Sequence, residues 1–336
     1  MNKKLINKDL SQIKKQIKSA NKIALFGHTN IDGDSLGAML GLGKLLEKQG
    51  KKIKYFTPIK PGKVFNFLDG IKKIKTCLPA GRSDFDYGNY DLLIFLDFTG
   101  YSRIRNFTQG HEKYFDKQKI IVIDHHLGNG LEHGLILKDS NASSTCELVF
   151  ETFFPQRKKL FDSQIATYFY LGLTTDSGNF LFEKNSVRTL SNALSLIKLG
   201  ADKSSIVNNI MRRISLNAVK FMQILLSRVK TKGNIIYTYY DFKELKKNGL
   251  ELDEADLALY TLQNVDKYDI FLFFSKGTKE FKCSLRGKGN VNVEKIAKIF
   301  TGGGHRFASA FSLPIKGNFG NQIKSVVNKI NNLIKK

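Results

Sequence analysis

A chain of 336 residues, 42% of them hydrophobic, exceeds the usual size of one domain and can bury real cores, which excludes wholesale disorder. Its 54 basic against 30 acidic residues leave a formal charge of +24, which favours polyanionic partners, although lysines scattered over solvated faces give the same count. Cys77, Cys146 and Cys283 stand far apart without a CxxC spacing, and no apolar run reaches the roughly 18–20 residues of a membrane helix, so a disulfide framework and a membrane span are excluded and a cytoplasmic protein is expected.

At the N-terminus, Leu10, Ile13 and Ile17 follow helical spacing without the continuous apolar stretch of a signal peptide. Residues 23–26 read as a short buried strand, followed by a turn at 28–33 and a helix carrying Leu36, Met39 and Leu40 inward. Further strands are expected at 53–56, 92–96 and 120–123, the last two apolar throughout. Such strands alternating with helices predict an α/β domain, a parallel sheet with helices on both faces. Helices are expected at 144–154, 162–173 and 187–199, and the pattern from 203 to 229 is helical throughout, without glycine or proline. After Lys232-Gly233 the texture turns β-rich, with strands at 235–240, 270–274 and 281–285 and helices near 253–263, 292–299 and 320–335. The expected division is an α/β domain over 1–200, a helical linker over 201–230 and a smaller α+β domain over 231–336.

The acids and histidines fall at the strand ends. The first strand runs into Gly27-His28-Thr29-Asn30-Ile31-Asp32-Gly33-Asp34, the strand at 92–96 into Asp97, and the strand at 120–123 into Asp124-His125-His126. In open α/β sheets, ligands bind beyond the carboxyl ends of the strands. Asp32, Asp34 and Asp97 crowded at that edge would repel one another unless cations neutralised them. Carboxylates mixed with imidazoles suit a divalent first-row metal such as manganese better than calcium. Two such ions roughly 3.5–4 Å apart clamp a phosphate and generate hydroxide at neutral pH, with Asp97 well placed to bridge them. Glycines 27, 33 and 37 fit a tight turn with close backbone approach to a ligand.

Each piece also has a structural reading. His28 alone suits a hydrogen-bonding role, Asp32 or Asp34 a helix N-cap, Asp176 with Gly178 a helix end, and Ser144 with Glu147 a capping box. Asp139 and Asn141 read as turn residues. The convergence of several at three strand ends favours the metal reading. Farther on, Gly302-Gly303-Gly304-His305-Arg306 leaves amides and side-chain donors for an anion, and 281–286 alternates so that Lys282, Ser284 and Arg286 share one face.

These motifs resemble the DHH phosphoesterase superfamily: GHTNIDGDSLG at 27–37, LDFTG at 96–100, IDHHLGN at 123–129, TTDSGNF at 174–180 and GGGHRFASA at 302–310. Within it, the length and two-domain plan are most similar to the NrnA group, which degrades very short oligoribonucleotides (nanoRNA) and removes the 3′-phosphate from 3′-phosphoadenosine 5′-phosphate. The resemblance implies two divalent metal ions, Mn2+ with Mg2+ or Co2+ as substitutes. One would be held by His28, Asp32 and Asp97, the other by Asp34, Asp97, His125 and Asp176. It implies His126 facing the scissile phosphate, Asp124 supporting the histidines, and Arg286, Gly303, Gly304 and His305 holding the rest of the substrate, with Arg103 contacting substrate or bracing its loop. Ile31, Asn179 and Ala310 depart from the family pattern, but every implied ligand is present.

The expected function is hydrolysis of short RNA or a small nucleotide by a two-metal-activated hydroxide, without a covalent intermediate and compatible with a homodimer. The alternatives are a soluble phosphodiesterase for cyclic or linear dinucleotides, a RecJ-like single-strand exonuclease, an inorganic pyrophosphatase and a silent nucleotide-binding regulator.

Overall fold

The computed structural model describes residues 3–28, 31–76, 87–98, 115, 117–126, 134–181, 185–213, 215–250, 261–262 and 264–334. The chain divides into two units, Met1–Arg213 and Ile214–Lys336.

In the first unit, α1 (Lys3–Ser19) leads into β1 (Lys22–Phe26), α2 (Gly33–Glu47), β2 (Lys52–Thr57), β3 (Ile74–Thr76), β4 (Leu92–Leu96), β5 (Ile120–Asp124) and β6 (Leu135–Lys138). Three helices follow, α3 (Thr145–Arg157), α4 (Ser163–Asp176) and α5 (Ser186–Lys198). The six strands form one parallel sheet in the order β3-β2-β1-β4-β5-β6. The order reverses between β1 and β4, the switch point beside which α/β sheets bind ligands.

Side-chain alternation explains why these strands are apolar throughout. Ile23, Leu25, Ile94 and Ile123 share one core with α2 and α3, on which α4 packs, while Ala24, Phe26, Phe95 and Val122 join Phe98 and Phe115 on the other face. There Phe26 and Phe95 stack with centroids 4.6 Å apart, a pair that adds about 0.5–1.5 kcal/mol to its area burial. Helix α2 is apolar on nearly every side and is buried from Gly33 to Gly43. The short strands β3 and β6 complete the sheet at its two edges.

The stretch 201–230 is not continuous helix. A short helix at Lys203–Ile206 opens into a π turn, Val207–Met211, and its Ile206 joins the first core. The chain restarts at Ser215, whose hydroxyl accepts the Ala218 N–H and caps α6 (Leu216–Ser227). Phe221 and Leu225 of α6 join a core of the second unit.

That unit contains β7 (Lys230–Lys232), β8 (Ile235–Asp241), α7 (Phe242–Lys247), β9 (Ile270–Lys276), β10 (Glu280–Gly287), α8 (Val293–Ile299), β11 (Gly303–His305), β12 (Ala308–Pro314) and α9 (Phe319–Ile334). Its mixed sheet, ordered β11-β12-β10-β9-β8-β7, is antiparallel except for the β8–β9 pair. Helices α8 and α9 cover one face, and α6 with Leu245, Leu250 and Leu262 covers the other. The helix expected near 253–263 lies almost wholly outside the described residues. Among the described residues, no helix is long and apolar enough to cross a membrane.

Candidate metal centre

Three strand ends and two helix ends bring the acids and imidazoles together. Strand β1 hands the chain to His28, β4 to Asp97, and β5 ends in Asp124 before His125 and His126. Helix α2 begins beside them, with Asp32 as its N-cap accepting the Ser35 N–H and Asp34 in its first turn. Helix α4 ends on Asp176. Asp32 caps the helix with one carboxylate oxygen and holds the other 3.6 Å from His28 Nε2, so the cap leaves an oxygen available to a cation.

Asp97 sits between two groups of donors. Its Oδ2 is 2.9 Å from His28 Nε2, while its Oδ1 is 3.7 Å from His125 Nε2 and 3.2 Å from His126 Nδ1. His125 Nε2 lies 3.0 Å from Asp176 and 3.9 Å from Asp34. Two candidate ligand sets result, His28-Asp32-Asp97 and Asp34-His125-Asp176, with a third combination of Asp97, His125 and His126 between them. The Asp97 backbone is left-handed (φ 61°), a region aspartate tolerates better than most residues, and its N–H still donates to the Ile123 carbonyl.

The surroundings of each donor fix its orientation. His125 Nδ1–H donates to the Ala142 carbonyl at 3.2 Å, which leaves Nε2 aimed at Asp176; metal-ligating histidines are commonly held this way. Asp124 accepts from His126 twice, at the backbone N–H and at Nδ1 (2.8 Å), and meets Lys138 at 3.3 Å. It supports His126 and belongs to none of the ligand sets. Asp34 accepts the N–H groups of Thr145 at 2.6 Å and Cys146 at 2.9 Å, the first turn of α3, and the Thr145 hydroxyl donates to Asp97. An ionised carboxylate is favoured at a helix N-terminus.

These contacts of Thr145 and Cys146 were not legible in the sequence. The Ser144 cap is present and Glu147 accepts the Ser143 N–H, but nothing in 143–147 alone shows that the same helix start also holds Asp34. The role read for the glycines needs correction. Gly33 and Gly37 have no left-handed backbone; they let α2 pack on α4, where a Cβ would overlap the Thr175 side chain or the Tyr168 carbonyl. A Cβ on Gly27 would press on Ile31 and Ser35. Helix contact requires Gly33 and Gly37.

Burial and crowding shift Asp34, Asp97 and the three histidines. Burial pushes the Asp34 carboxyl up, and Asp97 and Asp176 add to it. Burial also opposes ionisation of Asp97, but hydrogen bonds from His126 and His28 outweigh it and hold that carboxyl well below its ordinary range. For the imidazoles, burial favours the neutral form and the carboxylates win: His28 and His125 rise to about 9 and His126 to about 10. Cations placed among these oxygens and nitrogens would relieve the repulsion between carboxylates, so the donors present fit divalent metal ions.

In the second unit, β10 buries Phe281, Cys283 and Leu285 and leaves Lys282, Ser284 and Arg286 on the more exposed face. Arg286 is in register with Ala308 of β12, which pairs with His305 of β11, so Arg286 and His305 share one row across three strands. Gly303 and Gly304 lie in the β11 edge strand, with Gly304 at a φ of 142°. Arg103 lies outside the described residues.

The chain is 29% identical over 316 residues to the bifunctional oligoribonuclease and PAP phosphatase NrnA of Mycoplasma genitalium, with 94% of this chain and 95% of that one covered. The protein of the same name in Bacillus subtilis is 26% identical over 295 residues, covering 87% and 89%. In fold, the chain resembles the crystal structure of an exopolyphosphatase-related protein from Bacteroides fragilis, with a TM-score of 0.84, 23% identity and 98% of both chains covered. The model of the DHH family, N-terminal domain, matches residues 22–173 and that of the DHHA1 domain residues 232–336. With a DHH-family N-terminal domain and a DHHA1 domain in order, and the acids and histidines gathered at the sheet edge, the chain is a metal-dependent phosphoesterase.

Proposed function

We propose that the protein hydrolyses short oligoribonucleotides and removes the 3′-phosphate of 3′-phosphoadenosine 5′-phosphate in the cytoplasm, using two divalent ions, Mn2+ for preference. The observation that carries the two-ion reading is the division of Asp97, one carboxylate oxygen facing His28 and the other His125. The oligoribonuclease and PAP phosphatase activities for which its relatives are named support the substrate class.

Bound divalent ions supply positive charge for the phosphoryl oxygens and acidify a water for attack on phosphorus. His28, Asp32 and Asp97 would hold one ion, and Asp34, Asp97, His125 and Asp176 the other. His126, oriented by Asp124 through its Nδ1, would meet the scissile phosphate. Arg286 and His305, with the Gly303 and Gly304 amides, would hold a second phosphate or sugar. This requires no covalent intermediate.

The decisive assay compares 3′-phosphoadenosine 5′-phosphate, linear di-adenylate, a ribo-trinucleotide and a long single strand, each with Mn2+. Fast turnover of the first three is expected. Preference for the long strand would replace this reading with an exonuclease, and exclusive use of the di-adenylate with a dinucleotide phosphodiesterase.

A homodimer is part of the proposal. Helix α5 leaves Val187, Leu190, Leu194 and Ile197 exposed at 78%, 50%, 54% and 39%, at the alternating three- and four-residue spacing of a helix-pairing seam. Uncharged Ser186, Ser191 and Ser195 flank it on a chain of net charge +24. An apolar seam of this kind is complementary to its own copy about a two-fold axis, where the basic remainder of the surface would repel.

A further inference from the structure

We infer that the inward face of α5 is a clamp on the metal centre: Arg188, Thr189 and Asn192 fix the segment 139–147, and that segment fixes Asp34 and His125. This rests on reading Asp34 and His125 as metal ligands. Arg188, Thr189 and Asn192 touch no proposed ligand and are positioning residues.

The segment runs from the end of β6 into α3 and reaches the centre at two points. The Ala142 carbonyl accepts from His125 Nδ1, and the Thr145 and Cys146 amides donate to the two oxygens of Asp34. A local Asx turn, with the Asn141 N–H donating to Asp139 Oδ1, shapes its start. Position at these two points decides where an imidazole nitrogen and a carboxylate face.

Helix α5 grips the segment at three places one helical turn or less apart. Arg188 Nη1 donates to Asp139 Oδ2 at 2.7 Å. The Thr189 and Ser143 hydroxyls, both buried, share a hydrogen bond of 2.8 Å. Asn192 Nδ2 donates to Glu147 Oε1 at 3.1 Å, while the other oxygen of Glu147 accepts the Ser143 N–H at 2.7 Å. The rest of the Arg188 fork donates to both oxygens of Glu151, at 2.9 and 2.6 Å, and Asn192 adds a bond to the same carboxylate.

The charge count shows why Arg188 is the centre of this arrangement. Its guanidinium is the cation facing Asp139, Glu151 and the buried Glu147, whose Oε2 lies 3.8 Å from Arg188 Nε. Removing it leaves carboxylates to repel one another beside the start of α3, and the segment must shift to separate them. A lysine restores the charge but cannot span two carboxylates with a planar fork.

The test is calorimetric titration of Mn2+ alone into the full-length protein, with the melting temperature measured in parallel. Arg188→Met should bind Mn2+ about tenfold more weakly than wild type, as loss of a group that orients ligands does. Arg188→Lys should recover part of that loss. Asn185→Ala, which removes the α5 N-cap on the Arg188 N–H and no donor to 139–147, should lower the melting temperature at unchanged Mn2+ affinity. Wild-type affinity in folded Arg188→Met overturns the clamp, as does an equal weakening in Asn185→Ala.

Should Arg188→Met fail to fold, the near-isosteric Thr189→Val decides. About threefold weaker Mn2+ binding, the effect of one lost hydrogen bond, supports the clamp, and unchanged binding overturns it. A wild-type protein that takes up no Mn2+ would instead defeat the metal-ligand reading, a separate result.

Discussion

Asp97 is where the chemistry of single residues is most exposed to test. With one oxygen toward His28 and the other toward His125, its loss should affect both candidate ion sites together. Asp97→Ala is expected to lower kcat by on the order of 10³-fold, the loss of several kcal/mol of charge stabilisation. Arg286→Ala should instead raise KM about tenfold at nearly constant kcat and unchanged metal content, because a contact made equally in ground and transition states acts on binding. Steady-state kinetics with metal analysis of both variants checks the contrast, and equal loss of metal in the two would contradict it. Protons enter the same account. Carboxylates raise His28 and His125 to about 9, so protons compete for the nitrogens that would bind cations. Below that pH a proton must leave before a cation binds, so Mn2+ affinity should rise between about pH 6.5 and about pH 8.5. Affinity that is flat across that interval, measured by calorimetry, would contradict the assignment. Asp97 and the Asp124-His125-His126 run were legible in the sequence because each stands at the end of an apolar strand, and His28 one residue beyond another. The grip of Thr145 and Cys146 on Asp34 was not, because backbone amides carry no residue code and their partner is more than a hundred positions away.

Among the elements, α2 and α4 hold the acids of the second candidate set, Asp34 at the start of one and Asp176 at the end of the other. Their close contact depends on Gly33 and Gly37, and Gly172 faces back toward Cys146 and Asp34. Gly37→Ala should therefore drive the helices apart, costing about 1–3 kcal/mol of stability and weakening Mn2+ binding together. Chemical denaturation with a metal titration reads both; a stable variant with weakened metal binding would return Gly37 to the ligand-approach role. Element positions were read well wherever a continuous apolar run marked a strand, as at β1, β4 and β5. Strands β3 and β6 escaped because, at three and four residues, they are too short to establish a period. The restart at Ser215 escaped because it is marked by a serine cap rather than by glycine or proline. The exposed seam of α5 is an element-scale feature as well. Leu190→Asp with Leu194→Asp should yield a monomer by sedimentation, and a wild-type protein already monomeric at high concentration would remove the seam's proposed role.

At the scale of the molecule, the topology does most of the placing. A parallel sheet whose order reverses between β1 and β4 puts the ends of β1, β4 and β5 side by side, so residues far apart in sequence meet at one edge. The second unit follows another plan, a mixed sheet covered on both faces, with Arg286 and His305 in one strand row. The sequence separated these textures because strands at 235–240, 270–274 and 281–285 make the chain β-rich after Gly233, and the last of them alternates in period two. Net charge was a weaker guide, since +24 describes affinity for polyanions in general and not a particular bond to be cleaved. Electron paramagnetic resonance of the protein titrated with Mn2+ tests the central claim most directly. The account predicts a spin-coupled manganese pair in the wild type that disappears in Asp97→Ala. Isolated, uncoupled Mn2+ in the fully loaded wild-type protein would contradict it.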